Sequence, residues 1–425
     1  MWAHAGGGFQ VRALVVENSP LRLAATRVLG ALTPRAYVGP TSPMQLREIA
    51  EPGLAAPDWA IAQTRICGLC GSDYKQVFMN GALDNPMTAM ISWPQVLGHE
   101  VVGVLDEVGP EARQRSLGER VVLNPWLSCV PRGLPPCALC RQGHLAQCLN
   151  FARGIASPGI HSGNSATATG GFAPRVPAHE SQWIPVPDAV SDEAAALADP
   201  FSVSLHAIRK SPPRAGDTVL VYGCGTLGLL AIAILRRLHP NVRVLAVARF
   251  DHQARLAEDF GADVVARHRP ARGVVEAVAA ETKAGLQEPW RGLPMLNGGV
   301  DAVYDTVSSA ETLEVGVRIL RSHGSLVVIG VEPPRRFEWT PLYFKEISIV
   351  GSNGFGVEEI GGRRQHAMAW YFELLGGGSL DVTPIITHRF RLEAYRDAFL
   401  ACYRQGDSGA VKVLFDDFSE GVSSD

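Results

Sequence analysis

The stretch Thr218-Val219-Leu220-Val221-Tyr222-Gly223-Cys224-Gly225-Thr226-Leu227-Gly228 decides the fold of the second half of the chain. It reads as a short apolar strand, a G-x-G-x-x-G turn and the start of a helix that is predicted to run to Leu238. In this setting the glycines allow a tight turn, let the backbone approach a pyrophosphate and let the helix pack on the strand. The alternative is a glycine-rich turn without a ligand, and the sequence that follows decides between the two.

Strands and helices alternate after this stretch. Strands are predicted at 242–247, 263–265, 301–304 and 325–329, and helices at 252–260 and 311–320. Strands that are continuous apolar runs between helices indicate a parallel sheet covered on both faces. This rhythm favours a dinucleotide site, and the predicted cofactor contacts are Gly223, Gly225, Thr226, Leu227 and Gly228.

The residue expected to hold the adenosine ribose lies about twenty residues after the glycine turn. Ala248 stands at that position, and Arg249 follows it. The missing carboxylate removes repulsion of a 2′-phosphate, with which Arg249 could pair. NADP is therefore the favoured cofactor. Arg249 as an ordinary surface residue is the alternative, and the nearby Asp251 keeps NAD open.

The N-terminal half is β-rich, with strands predicted at 11–16, 46–49, 59–66, 101–108 and 120–123. Residues 19–43 contain four prolines and are predicted without a helix. Residues 266–298 are predicted to hold one helix and an insertion of unknown role. A helix at 365–375 and a strand at 411–415 are interpreted as a return to the first domain, and residues 419–425 as a frayed end. The fold class is therefore α/β, a β-rich domain joined to a doubly wound parallel-sheet domain.

The composition excludes several classes of partner. The chain has 425 residues, 46% of them hydrophobic and 19% charged, and a net charge of -3. The small net charge and the absence of a basic block argue against nucleic acid and against an anionic membrane surface. No apolar run is long enough for a membrane span. The N-terminal residues 1–8 lack the pattern of a signal peptide, so the cytoplasm is the expected location.

Four cysteines, Cys129, Cys137, Cys140 and Cys148, lie close together on a proline-rich segment with the spacing C-x7-C-x2-C-x7-C. Four thiolates with no open position suit a closed, structural zinc site. The C-x2-C pair is the most specific part, and Cys129 is the least secure ligand because its gap is long. Free or disulfide-bonded cysteines are the alternative.

A second candidate zinc site combines Cys70 and His99 with one carboxylate, which leaves one position open for a substrate. Glu100 and Asp199 compete to be that carboxylate. Asp199 lies in an apolar run where an unpaired charge is costly, although it could instead cap a helix.

Two further polar residues follow Cys70. Ser72 could relay the proton that the reaction releases, and Asp73 could accept the second ring N–H of His99. A simple turn is the alternative for both residues. Zinc at this site would act as a Lewis acid on an alcohol oxygen.

These motifs, in this order, resemble the zinc-dependent medium-chain alcohol/polyol dehydrogenase family. The likeness runs from about residue 11 to 415 and includes Gly98-His99-Glu100, Gly171-Phe172-Ala173 and Ala410-Val411-Lys412-Val413. The resemblance implies a GroES-like catalytic domain at 1–205, a Rossmann domain at 206–345 and a return segment at 346–425. It also implies that Cys70, His99 and Asp199 or Glu100 bind the catalytic zinc. Ser72 would be the proton relay, and Lys412 would be a cofactor contact.

The chain departs from the family at several positions. Asp199 is one methylene shorter than the usual Glu, and Lys75 stands where many members carry a relay His. The gap between Cys129 and Cys137 is longer than the usual two residues.

From the motifs and the resemblance together, we expect an enzyme that acts on a secondary alcohol or polyol with NAD(P). The resemblance also implies a homodimer or homotetramer. A non-enzymatic NAD(P)-binding sensor or structural protein of the same fold is the alternative.

Overall fold

A computed structural model describes residues 10–81, 85–267, 270–330, 332, 338–378 and 380–418. The N-terminal residues 1–8 and the predicted frayed end, 419–425, lie outside these ranges. The chain forms two compact units. The first unit comprises Met1–Asp199, Arg364–Gly376 and Ile386–Asp425, and the second comprises Pro200–Arg363 and Gly377–Ile385. The domain limits predicted at 205 and 345 stay a prediction.

The strands of the described chain are β1 Gln10–Val16, β2 Met44–Ala50, β3 Trp59–Leu69, β4 Gln95–Val96, β5 Glu100–Val108, β6 Arg120–Leu123, β7 Arg175–His179, β8 Trp183–Pro185, β9 Thr218–Tyr222, β10 Arg243–Ala248, β11 Asp263–Arg267, β12 Gly285–Gln287, β13 Met295–Asn297, β14 Val300–Asp305, β15 Leu320–Val328, β16 Ser348–Gly351, β17 Val357–Ile360, β18 Arg363–His366, β19 Ile386–Arg391 and β20 Lys412–Asp417.

The helices of the same residues are α1 Pro20–Gly30, α2 Gly71–Val77, α3 Ala138–Gln142, α4 Asp192–Ala195, α5 Ala198–Lys210, α6 Thr226–Leu238, α7 Asp251–Asp259, α8 Ala271–Thr282, α9 Ala310–Ile319, α10 Thr340–Phe344, α11 Ala367–Gly376, α12 Tyr395–Tyr403 and α13 Gln405–Ser408. Within the described ranges, no helix is both long and apolar enough to cross a lipid bilayer.

The second unit is built on a six-stranded sheet in the order β11-β10-β9-β14-β15-β16, and all neighbouring strands are parallel. Numbered by position in the chain, this order is 3-2-1-4-5-6, the order of doubly wound dinucleotide-binding sheets. The order in which successive strands are added to the sheet reverses between β9 and β14, and ligands of such sheets bind at that point. The glycine turn at Gly223 directly follows β9. In β9, the four residues from Val219 to Tyr222 are buried and Thr218 is half-buried, as the apolar sequence predicts.

The first unit contains two sheets. A seven-stranded sheet has the order β19-β20-β3-β5-β6-β8, with β7 also paired to β3, and a three-stranded sheet has the order β2-β1-β4. Their inward side chains form one hydrophobic core, which includes Leu14, Leu105, Phe172, Phe399 and Phe415. The antiparallel pairings of β3 with β5 and with β20 bring three distant segments together. The polar residues of the site lie at the ends of these strands.

The prediction that residues 19–43 lack a helix is wrong, because α1 spans Pro20–Gly30. Pro20 stands at the first helical position, where a missing N–H and a fixed φ do no harm. Ser19 caps the helix by accepting a hydrogen bond from the Arg22 backbone N–H. The later prolines of this segment follow the helix rather than interrupt it. The segment at 266–298 holds the predicted helix, α8, and the hairpin β12–β13.

Candidate active site and metal centres

The helix α2 presents Cys70 at its N-cap position, directly after β3. Asp73, the third residue of this helix, is buried, and its carboxylate accepts hydrogen bonds from the backbone N–H groups of Cys70 (3.0 Å) and Gly98 (3.4 Å). One side chain therefore holds the backbone of the two segments that carry Cys70 and His99. An acid in the first turn also suits the positive end of the helix.

Cys70, His99 and Glu100 form a cluster whose ligand atoms lie within 4.8 Å of one another. The cause is the register of β3 against β5, in which Gly68 is opposite Glu100. The cluster is mostly buried, and it offers a sulfur, an imidazole and a carboxylate. Zinc sites use this donor set. The residues present therefore fit the metal that the sequence predicts.

Glu100 is paired with Lys412, a buried lysine brought into place by the pairing of β20 with β3. The Lys412 ammonium also donates to the carbonyl oxygen of Leu69 at 3.3 Å. Both charged side chains are nearly inaccessible to water. The prediction that Lys412 contacts the cofactor is not tested, while its contacts with Glu100 and Leu69 are explicit.

Asp199 is the second residue of α5, so it lies inside the first helical turn rather than at the cap. It is buried, and its Oδ2 atom has no hydrogen-bond partner among the described residues. Burial raises the pKa of Asp199 to about 7; His99 and Lys412 oppose this shift and Glu100 adds to it. A buried carboxylate oxygen without a donor is costly, and a bound cation would satisfy it. This orphaned atom is a second observation that fits a metal.

Of the two predicted supporting residues, Asp73 is placed differently from expectation, while the role of Ser72 stays a prediction. The Asp73 carboxylate and His99 Nδ1 are 3.8 Å apart, which is beyond hydrogen-bond distance, and Nδ1 has no partner in the described part of the chain. The predicted Asp73–His99 hydrogen bond is therefore not formed. Ser72 is exposed at the second position of α2, next to Cys70.

His161 is a residue of this site that sequence reasoning missed. Its ring lies 4.6 Å from the His99 ring, centroid to centroid, and its Nδ1 is 2.7 Å from the Ser162 carbonyl oxygen. Burial, and to a smaller extent the neighbouring His99, lowers the pKa of His161 to about 3. The residue is therefore a neutral imidazole. It lies in an irregular loop after the cysteine segment, and no spacing in the sequence singles it out.

A second cluster of possible ligands lies in residues 129–148, which we call the lobe. The sulfur atoms of its four cysteines, Cys129, Cys137, Cys140 and Cys148, lie within 4.8 Å of one another. The sulfur atoms of Cys129 and Cys148 are 3.5 Å apart, too far for a disulfide, and all eight cysteines of the chain are unbridged. Backbone or side-chain N–H groups of Cys137 and Asn150 donate to these sulfurs. The long gap after Cys129 thus does not remove it from the cluster, and a closed set of four thiolates fits zinc.

The glycine turn of the second unit has a separate physical reason for each glycine. Gly223 has φ +90°, a conformation that disfavours other residues. A Cβ on Gly228 would lie 1.8 Å from the Gly223 carbonyl oxygen, so the helix could not pack there. A Cβ on Gly225 would meet nothing within 4 Å. The space at Gly225, at the N-cap of α6, is where a pyrophosphate could approach the Thr226 and Leu227 backbone.

Ala248 is buried at the end of β10, and Arg249 is exposed directly after it. The Arg249 guanidinium lies 5.3 Å from the centroid of the Phe250 ring. Within the described ranges no carboxylate forms an ion pair with Arg249. The role of Arg249 in cofactor choice stays a prediction.

Known proteins resemble this chain over most of its length. The family model of the alcohol dehydrogenase GroES-like domain matches residues 56–188, and that of the zinc-binding dehydrogenase matches residues 226–370. L-idonate 5-dehydrogenase of Vitis vinifera is 28% identical over 351 residues, which are 82% of this chain and 85% of that protein. Sorbitol dehydrogenase of Arabidopsis thaliana is 27% identical, with the same coverage of both chains.

A solved structure gives the same result for the fold. The zinc-binding dehydrogenase of Sinorhizobium meliloti 1021, with NADP bound, has a TM-score of 0.70 at 24% identity and covers 96% of this chain and 99% of its own. The two family models together span more than half of the chain. The predicted α/β class, with a GroES-like and a Rossmann domain, is confirmed, and the family model is that of a zinc-binding dehydrogenase. The chain belongs to the medium-chain family of zinc-dependent alcohol and polyol dehydrogenases and is an oxidoreductase.

Proposed function

We propose that the Cys70 cluster is the active site of this enzyme and that it interconverts a secondary alcohol or polyol and the matching ketone. The single observation that carries this proposal is the buried donor set of Cys70, His99 and Glu100. The charges of His99 and Glu100 also act on Asp199, whose Oδ2 atom has no hydrogen-bond donor among the described residues. The curated relatives named above act, by their names, on L-idonate and sorbitol. A polyol or sugar acid is therefore the substrate class to test first.

Cys70, His99 and Asp199 would hold the catalytic zinc. Glu100 is the carboxylate that lies beside Cys70 and His99, but Lys412 already compensates its charge. Asp199, by contrast, has a buried oxygen without a hydrogen-bond donor among the described residues. A cation therefore stabilises Asp199 more than Glu100. When bound, zinc supplies Lewis acidity toward an alcohol oxygen. Asp73 fixes the backbone on which Cys70 lies, and the neutral His161 packs on His99.

The oxidation removes a hydride from the alcohol carbon and a proton from its oxygen, and a bound NAD(P) would supply the hydride acceptor. Ser72 is exposed beside Cys70, so its hydroxyl could accept the proton and pass it to water. Gly223, Gly225, Thr226, Leu227 and Gly228 would hold the cofactor pyrophosphate, as the open space at Gly225 allows.

The test compares Cys70→Ser, Asp199→Asn and Glu100→Gln with the parent enzyme. We expect Cys70→Ser and Asp199→Asn to lose about one zinc per chain and nearly all turnover on a polyol panel. Glu100→Gln should keep its zinc but unfold more readily, because the buried Lys412 charge loses its partner. Loss of zinc from Glu100→Gln alone, with Asp199→Asn unaffected, would reverse the assignment. A parent enzyme without alcohol-dependent reduction of NAD(P) would contradict the proposed function.

We propose NADP as the preferred cofactor, because Arg249 has no acidic ion-pair partner in the described chain and Ala248 offers no carboxylate. Arg249→Ala should raise KM for NADP by about tenfold or more and leave KM for NAD nearly unchanged, since one charge-assisted hydrogen bond is lost. Arg255→Ala, an exposed arginine of α7, is the matched control. An unchanged ratio of the two KM values would refute Arg249 as the reason for NADP preference.

We also propose a cytoplasmic homodimer or homotetramer. Eight unbridged cysteines are compatible with a reducing compartment. The segment from 329 to 351 exposes Tyr343 and Phe344 beside β16, the last strand of its sheet. Exposed aromatic residues near an unpaired sheet edge favour a subunit contact. A monomer by analytical ultracentrifugation at micromolar concentration would exclude this proposal.

A further inference from the structure

Arg132 lies inside the long gap between Cys129 and Cys137, and it is completely buried. Its guanidinium donates only to backbone carbonyl oxygens. The acceptors are Leu127 (2.9 Å), Arg153 (2.9 Å), Ala156 (2.8 Å), Ser157 (3.2 Å) and Gly159 (2.7 Å). Five donors in a rigid fork are thus all satisfied, and they tie residues 153–159 to the segment before Cys129.

None of these acceptors carries a charge. In the described part of the chain, no carboxylate forms an ion pair with Arg132. A guanidinium cannot lose its proton in a protein, so the positive charge stays inside. A buried charge is strongly destabilising unless an opposite charge lies near it. The hydrogen bonds alone therefore leave the Arg132 charge uncompensated.

The charged groups that act on Arg132 are the thiolates of Cys148 and Cys129. Arg132 belongs to a short turn that Cys129 begins, and its backbone N–H donates to the Cys129 carbonyl oxygen. Burial lowers the pKa of Arg132, and the thiolates of Cys148 and Cys129 oppose that shift. Four thiolates around one zinc ion leave an excess of two negative charges, while four protonated thiols would leave none.

We infer that Arg132 is the internal counter-charge of the lobe zinc centre and that the longer gap after Cys129 exists to carry it. This inference rests on the proposed zinc site in the lobe. Arg132 also positions a loop: Leu127 and Ile160 pair through their backbones, and Trp126 forms a bridge with His161. The same side chain therefore compensates the metal centre and fixes the loop that carries His161 to the side of His99.

The experiment measures how fast zinc leaves the lobe for a chromogenic chelator. Full-length Cys70→Ser serves as the parent, because its remaining zinc belongs to the lobe. Arg132→Lys keeps the charge and loses most of the fork, while Arg132→Gln and Arg132→Met remove the charge. Arg141→Met is the matched control, since Arg141 is exposed in the same lobe and donates to the Pro136 carbonyl oxygen.

We expect Arg132→Gln and Arg132→Met to release zinc about 10- to 100-fold faster than the parent, the range found when groups that support metal ligands are removed. Arg132→Lys should stay close to the parent in zinc release but show faster amide exchange at 153–161. Arg141→Met should match the parent in both measurements. If Arg132→Met does not fold, the Lys and Gln variants still decide the question.

Two outcomes separate the inference from the site on which it rests. If the parent holds no zinc, the lobe is not a zinc site and both ideas are overturned. If the parent holds zinc but Arg132→Gln releases it at the parent rate, only the counter-charge inference fails. It also fails if Arg132→Lys releases zinc as fast as Arg132→Gln, because the charge would then have no effect.

Discussion

Gly68 is the residue that makes room for the Glu100–Lys412 ion pair. A Cβ at this position would lie 2.0 Å from the Glu100 Oε2 atom and 2.9 Å from the Lys412 Cε atom. Both partners are buried, so neither can move into water without breaking the pair. The absence of a side chain at one position thus allows two charges to meet beside the proposed metal ligands.

Gly68→Ala should therefore destabilise the protein by about 1–3 kcal/mol, the usual cost of overpacking a core. The free energy of unfolding in urea measures this change. Gly71→Ala is the control, because a Cβ there meets nothing within 4 Å and alanine suits a first helical position. Equal stability of the two variants would show that the Glu100–Lys412 pair can shift without loss.

Asp305 gives a pH dependence at the level of one residue. Its carboxylate accepts hydrogen bonds from the N–H groups of Val307 and Ser308 and from the Thr312 hydroxyl, yet burial raises the pKa of Asp305 to about 6. A raised pKa means that the folded state holds the proton more tightly than the unfolded state. The contribution of Asp305 to the free energy of unfolding is therefore present at low pH and is lost as the pH rises from about 4 to 6.

Asp305→Asn should remove this pH dependence, because the amide stays neutral. Relative to the parent, the variant should gain roughly 3 kcal/mol between pH 4 and pH 7, at about 1.4 kcal/mol per pKa unit. Free energies of unfolding at the two pH values, compared between the two proteins, isolate this residue from the other acids. A difference that does not change with pH would mean that the hydrogen bonds outweigh burial.

At the scale of elements, the parallel strands were predictable because burial on both faces leaves a continuous apolar run. The predicted strand at 218–222 and the helix that follows the glycine turn match β9 and α6 to within one residue. The helix α1 was missed because prolines were weighed without their position, although Pro20 begins it. Local sequence thus predicts elements well where one physical factor dominates.

The candidate site was predictable only in part. Cys70, His99 and Glu100 come from two short motifs, and the pairing of β3 with β5 joins them. His161 reaches the site through an irregular loop and leaves no local pattern. Lys412 lies in a motif that was singled out, but its place beside Glu100 depends on the pairing of β20 with β3. For the same reason, the ion pair of Glu100 with Lys412 could not be read from the sequence. Contacts between segments far apart in the chain are what sequence reasoning lacks here.

Two glycines at the start of α6 should have different roles, one in cofactor binding and one in folding. Gly225→Ala should leave the free energy of unfolding nearly unchanged, since the new methyl group meets no protein atom within 4 Å, but it should weaken NAD(P) binding because it fills the proposed pyrophosphate space. Gly228→Ala should instead destabilise the fold, because its Cβ would collide with the Gly223 carbonyl oxygen. Calorimetric titration and urea unfolding give the two readouts. If Gly225→Ala binds the cofactor with normal affinity, the pyrophosphate does not bind at Gly225.

At the scale of the whole molecule, the proposed metal sites and the proposed cofactor site lie in different compact units. All proposed zinc ligands belong to the first unit, while the glycine turn and Arg249 belong to the second. A ligand stabilises the folded state of the segment that binds it, by about 2.7 kcal/mol at a hundred times its Kd. Metal and cofactor should therefore protect different parts of the chain from local unfolding.

Hydrogen exchange with and without each ligand tests this division. We expect NADP at about a hundred times its Kd to slow exchange at 218–228 and 245–252, because β9, β10 and the turn between β9 and α6 would surround it. Removal of zinc by a chelator should speed exchange at 67–75 and 124–162, where the two metal centres lie. The chelator already saturated with zinc is the control for effects unrelated to metal removal. The parallel sheet of the second unit contains none of the proposed zinc ligands. If zinc removal speeds exchange in that sheet as much as at 67–75 and 124–162, the two units do not respond separately to their ligands.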